Sequence, residues 1–147
     1  MDELHDKGLG TIRRSEEEEV EGVWEAEVTL PSGNLLPIEL AVESDDELEK
    51  AVAIAKRVIQ AIAYDEAKFD EQVAVKLAEM FNSQIPPRFK EPLTTEEMAR
   101  AQAMAWLSVD TQTTEIKLYY DVDFAGDHYG MAFLEEDGQL VGVGLEG

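Results

Sequence analysis

Hydrophobic and polar residues alternate with period two at both ends of this chain and with a helical period in its middle. Residues 22–30, GVWEAEVTL, put Trp24, Ala26, Val28 and Leu30 on one side, which predicts a strand. PSGN at 31–34 is turn chemistry, and LLPIELAVE at 35–43 returns as a second strand. Pro37 removes one ladder donor and predicts an edge position or a bulge. LGTIRR, residues 9–14, reads as a short first strand, with residues 1–8 frayed.

The period changes at Ser44. Ser44-Asp45-Asp46-Glu47 has the form of a capping box, with carboxylates at the positive end of a helix. Leu48, Val52, Ala55, Val58, Ile59 and Ile62 then recur every three or four residues, an amphipathic helix of about five turns. A second stripe, Phe69, Val73, Leu77, Met80 and Phe81, follows a break near Tyr64-Asp65. Ile85-Pro86-Pro87 ends it, and the three prolines of 85–93 predict an extended link. Thr94-Thr95-Glu96-Glu97 is a second capping box, opening a helix expected to run to about Leu107.

Strand patterning resumes with Ile116, Leu118 and Tyr120 on one face of 115–121. Tyr129, Met131 and Phe133 share a face of 128–135. Asp137-Gly138 predicts a two-residue hairpin turn. Leu140 to Leu145 closes with Val141, Val143 and Leu145 opposite Gly142 and Gly144. Strands, then helices, then strands predict a single α+β domain over 1–147. An antiparallel sheet from the N- and C-terminal strands packs against a central helical block.

Charge changes this picture most. The 147 residues carry 33 acids against 12 bases, a net charge of −21. Residues 1–44 hold 12 acids and 3 bases, and residues 111–147 hold 8 and 1, so the β-forming arms carry −16. Such a field repels phosphate backbones and attracts cations or basic proteins, which argues against nucleic-acid binding. Solubility alone is the simpler use of the same charge. No membrane span and no secretory leader are legible, so a cytoplasmic location is expected. The absence of cysteine excludes disulfides, thiolate metal sites and a cysteine nucleophile.

Candidate chemistry gathers in DVDFAGDHYG, residues 121–130. Asp121, Asp123 and Gly126 match positions 1, 3 and 6 of a calcium loop, but Ala125 and Ala132 occupy positions 5 and 12, where oxygen ligands belong. The segment is therefore no EF-hand. Three readings stay open: an acidic strand connection, a divalent-cation site of Asp123, Asp127 and His128, or acid–base chemistry by His128 beside a carboxylate. Phe124 would anchor the loop by packing. The terminal G-x-G-x-x-G, 142–147, lacks the helix that a dinucleotide loop requires. Asp65 and Asp70 read as solvent-facing or capping residues, Asn82 as a helix C-cap, and Trp24 and Trp106 as core.

The strands around GVWEAEVTL and LPIELAVE resemble the opening of a family of uncharacterised bacterial α+β domains. So do the helical Asp65, Leu77 and Asn82, and the ending LYYDVDFAGDHY…EDGQLVGVGLEG. Two positions differ: Asp127 separates Gly126 from His128, and Ser83-Gln84-Ile85 stands where the family tends to place a tryptophan. The resemblance implies a bacterial setting and a fold, and no mechanism. With no complete catalytic set, the expected function is a non-enzymatic acidic interaction domain binding a basic protein partner, as immunity proteins do. The alternative is a metal-binding or acid–base enzyme centred on Asp121, Asp123, Asp127 and His128, with no other cofactor. Nucleic-acid mimicry is a weaker third reading. A dimer through a sheet edge other than that of Pro37 is also open.

Overall fold

The computed structural model describes residues 2–15, 22–84, 92–123, 125 and 128–146. Eight strands among them form one sheet in chain order: β1 (Glu3–Asp6), β2 (Gly10–Arg14), β3 (Val23–Thr29), β4 (Leu35–Ala41), β5 (Gln102–Asp110), β6 (Glu115–Val122), β7 (Tyr129–Leu134) and β8 (Leu140–Glu146). Every neighbouring pair is antiparallel except β4–β5, which is parallel. Three helices connect that pair: α1 (Leu48–Tyr64), α2 (Glu66–Gln84) and α3 (Thr95–Ala101). The fold is thus α+β with a mostly antiparallel sheet, as expected.

Alternation assigns the faces. Trp24, Leu36, Ile38, Leu40, Leu107, Val109, Ile116, Leu118 and Tyr120 point to the helices and are all buried. Leu48, Val52, Val58 and Ile62 of α1 and Val73 and Leu77 of α2 meet them in one core. Each such side chain contributes about 1.5–3 kcal/mol by leaving water. The other face of the sheet carries no helix among the described residues.

Several local expectations are corrected. Residues 3–6 do not fray, because β1 pairs with β2 from Glu3↔Arg13 to Asp6↔Gly10. The Asp6 carboxylate accepts from the Leu9 and Gly8 amides and meets Lys56 Nζ of α1 at 3.3 Å, which anchors the turn. Pro37 lies in an internal strand. Its ring nitrogen costs no bond because the β5 ladder begins one residue later, at Ile38↔Leu107. Ser44 makes no capping bond. Residues 45–47 form a 3₁₀ turn, and Glu47 accepts instead from Thr111 Oγ1 at 2.8 Å.

The second capping box does form, with Thr94 Oγ1 accepting from Glu97 N at 3.1 Å and Glu97 Oε1 from Thr94 N at 3.2 Å. The helix it opens ends at Ala101 rather than near Leu107. Residues 102–110 are β5, held between β4 and β6 with a bulge between Met104 and Trp106. SEEEEVE, 15–21, falls outside the described residues apart from Ser15, and so does most of the proline link, 85–91.

The final hairpin has a three-residue loop rather than two. Glu135 N donates to Gln139 O at 2.9 Å and Gly138 N to Glu135 O at 2.8 Å, with Gly138 at φ +89°. A Cβ on Gly138 would lie 2.5 Å from Ala61 Cβ of α1. Gly138→Ala is therefore expected to lower unfolding free energy by about 1–3 kcal/mol, from the left-handed backbone and the overlap together. Urea denaturation measures this, and an unchanged midpoint would show that the hairpin does not seat on α1.

Candidate functional site

The Asp121–His128 segment is the corner between β6 and β7. Asp121 is the penultimate residue of β6 and pairs with Tyr129. Asp123 N donates to Ala101 O at 3.0 Å, and Ala125, buried, donates its N–H to Val122 O. His128 N donates to Ala125 O at 3.2 Å. The side chains of Asp121, Asp123 and His128 are exposed. Phe124, Gly126 and Asp127 lie outside the described residues, so the Asp123, Asp127 and His128 metal set has one member there. Among the described residues, no three His, Asp or Glu side chains gather as metal ligands.

Of three polar residues singled out by spacing, two behave otherwise than it suggests. Asn82 does not cap α2. Its Nδ2 donates to Leu93 O at 3.0 Å and its Oδ1 accepts from Leu93 N at 2.8 Å, clamping the chain just before α3. Asp65 closes α1 and accepts from Lys68 N at 3.2 Å, a cap at the break as expected. Asp70 is neither solvent-facing nor a cap. It lies half-buried under the sheet and accepts from Tyr120 Oη at 2.9 Å. Gln102 Nε2 donates to the Asp70 carbonyl at 3.0 Å, while Gln102 Oε1 is buried with no partner among the described residues.

Burial raises the Asp70 carboxyl above the usual carboxylate range, against the lowering effect of the Tyr120 hydrogen bond. Burial likewise pushes the Tyr120 phenol up, further raised by the charge on Asp70. A carboxyl with a raised folded-state pKa stabilises the fold as pH falls through that value, because the folded state then binds the extra proton. Asp70→Asn should therefore stabilise the protein at pH 7 and lose that advantage in acid. Thermal melts of both chains at neutral and acidic pH test this. An equal difference at both would mean that ionisation of Asp70 carries no cost.

The larger feature is the helix-free face of the sheet. In β7 the small residues Gly130 and Ala132 are buried on the helix side, where a Cβ on Gly130 would meet Leu77 Cδ1 of α2 at 3.2 Å. Tyr129, Met131 and Phe133 consequently point to the open side and are only half-buried. Register aligns Trp106, Tyr119 and Met131 in one row, and Ser108, Lys117 and Phe133 in the next. Trp106 stacks on Tyr119 with centroids 4.1 Å apart and planes at 15°. Tyr129 stands edge-on to Trp106 at 5.0 Å and 78°. Burial, with a hydrogen bond to Glu146, raises the Tyr119 phenol.

Acids flank this patch. Glu25 and Glu39 stand directly opposite one another on β3 and β4, with Glu27 one step along. Like charges so placed are destabilising in an isolated sheet. Arg13, opposite Glu25, pairs with Glu3 at 3.5 Å, and Lys117 pairs with Glu115 at 3.0 Å. Asp121 and Glu146 edge the patch on either side of Tyr129. Trp106 therefore belongs to the open face, whereas Trp24 is in the core at 1% exposure, with the Arg14 guanidinium 4.6 Å above its ring.

The sequence signal for this face was present in the shared side of Tyr129, Met131 and Phe133. It becomes legible only once the small residues between them are seen to face the helices. A separate cleft of about 620 Å³ opens where β5 ends, with Ile54, Val109 and Leu134 as floor and Lys50, Glu135 and Glu136 at the rim. Its Asp110 is already engaged, accepting from the Gln112 and Thr113 amides. No helix among the described residues is long and apolar enough to cross a membrane. No protein-family model, curated protein or solved structure matches the chain.

Proposed function

We propose that this protein is a non-enzymatic interaction domain that binds a basic protein partner on the open face of its sheet. The observation that carries the reading is the cluster of half-exposed Trp106, Tyr129, Met131 and Phe133 around the buried Tyr119, flanked by Glu25, Glu27, Glu39, Asp121 and Glu146. Aromatic and methionine side chains supply the contact area that interface centres favour. The carboxylates supply attraction for arginine and lysine, which also stack on aromatic rings. A net charge of −21 steers such a partner from a distance. The same chemistry fits an immunity-like role, the neutralising of a basic partner.

The immobilised chain should retain a basic protein from bacterial lysate at about 50 mM salt and release it at about 500 mM, where the Debye length shrinks to a few ångströms. With the retained protein purified, Trp106→Ala should weaken binding at least about tenfold, the scale of a hot-spot truncation. Glu27→Gln should flatten the salt dependence. Retention equal at both salt concentrations, or unaffected by Trp106→Ala, would remove the open face from the reading.

A further inference from the structure

The sheet has two outer edges, and they differ in kind. β1 is four residues long and carries Glu3 and Asp6 at its ends. β8 is seven residues long and uncharged from Leu140 to Leu145, in a chain of net charge −21. Short length and charge are the usual protections of an edge strand, and β8 has neither over most of its length. Its one irregularity is the bulge beside Val141, and Gly142 to Glu146 pair regularly with β7. α2 packs against β8, and no further strand pairs with its outer edge among the described residues.

We propose that β8 pairs with β8 of a second copy of this chain, antiparallel across a two-fold axis through Val143. The strand is self-complementary in that register. Val141-Gly142-Val143-Gly144-Leu145 reads apolar, glycine, apolar, glycine, apolar in both directions. Val143 then faces its own counterpart, each Gly142 faces a Gly144, and each Val141 faces a Leu145. The two Glu146 side chains fall at opposite ends, separated by about 20 Å at about 3.3 Å per residue, well beyond one Debye length.

Both faces gain from this pairing. On the helix side, Val143 and Leu145 are only partly buried against the core, and an added strand covers them. On the open side, Phe133 and Met131 lean over β8, so that a Cβ on Gly144 would lie 3.2 Å from Phe133 Cε2 and 3.4 Å from Met131 Cε. The two-fold register places Phe133 of one copy and Met131 of the other in a single row across two glycines. Two aromatic patches become one continuous surface. A basic partner strand is a poorer occupant of this edge, since β8 offers it no carboxylate before Glu146.

The pairing stands apart from the basic-partner reading and carries the opposite salt dependence. Two chains of −21 repel, so screening favours the dimer while it weakens capture of a basic protein. Sedimentation velocity at about 100 µM chain should show a dimer fraction that rises between about 50 mM and about 500 mM salt. Val141→Lys, at a position 60% exposed, should reduce that fraction at least about fivefold, consistent with the cost of placing charge on an edge, with unchanged circular dichroism.

Register is tested by cross-linking. The chain has no cysteine, so Val143→Cys introduces a single thiol. Residues facing each other in an antiparallel pair have Cα atoms about 4.5–5.5 Å apart, within disulfide reach. Under mild oxidation Val143→Cys should form a covalent dimer at least about tenfold faster than Gln112→Cys, an exposed turn position. A chain monomeric at both salt concentrations, a dimer indifferent to Val141→Lys, or equal cross-linking of the two cysteine variants would overturn the proposal.

Discussion

Two strands that run the same way cannot be joined by a tight turn, and the β4–β5 pair imposes that requirement on this fold. All other neighbours in the sheet are antiparallel and connected locally. The chain must leave the end of β4, travel back along the sheet and re-enter at β5, and α1, α2 and α3 make that journey. Because the three helices lie on one side, they cover one face of the sheet and leave the other without a helix among the described residues. The division between a dry face built around Trp24, Leu40, Leu118 and Tyr120 and an open face bearing Trp106 and Tyr129 follows from that connection. The small residues of β7 on the helix side are part of the same arrangement, since Gly130 makes room for Leu77.

The helical crossover also explains where polar groups are buried. Docking α2 on the sheet brings Asp70 against Tyr120, fifty residues away in sequence, and Gln102 against the Asp70 carbonyl. The pair is satisfied by hydrogen bonding yet penalised by desolvation, as the raised Asp70 carboxyl records. Asn82 does comparable work at the other end of α2, where one amide side chain holds both backbone groups of Leu93. These contacts fix the ends of α2 more specifically than apolar packing alone.

Much of the fold was legible because periodicity is a local property. The strand faces of 22–30, 35–43 and 115–121, the α1 stripe and the Thr94–Glu97 box all appear where spacing placed them. The errors arise where a distant partner decides. Residues 102–107 are rich in alanine, methionine and leucine, which favour helix, but pairing with both β4 and β6 makes them a strand. Ser44 and Glu47 have capping-box spacing, yet Thr111 takes the glutamate. Asp70 and Asn82 looked like helix-surface and helix-end residues because Tyr120 and Leu93 cannot be inferred from helical spacing. The Asp121–His128 corner drew notice for its density of titratable groups, whereas the broader open face emerged only from strand register.

The two tryptophans lie on opposite sides of one sheet, and this gives the molecule two independent optical probes. Trp24 is buried in the core beneath Arg14, on the helix side of the sheet. Trp106 is stacked on Tyr119 at the bare surface, where its emission responds to whatever settles on that face. Indole fluorescence can thus separate loss of the native core from occupation of the surface within a single unlabelled chain.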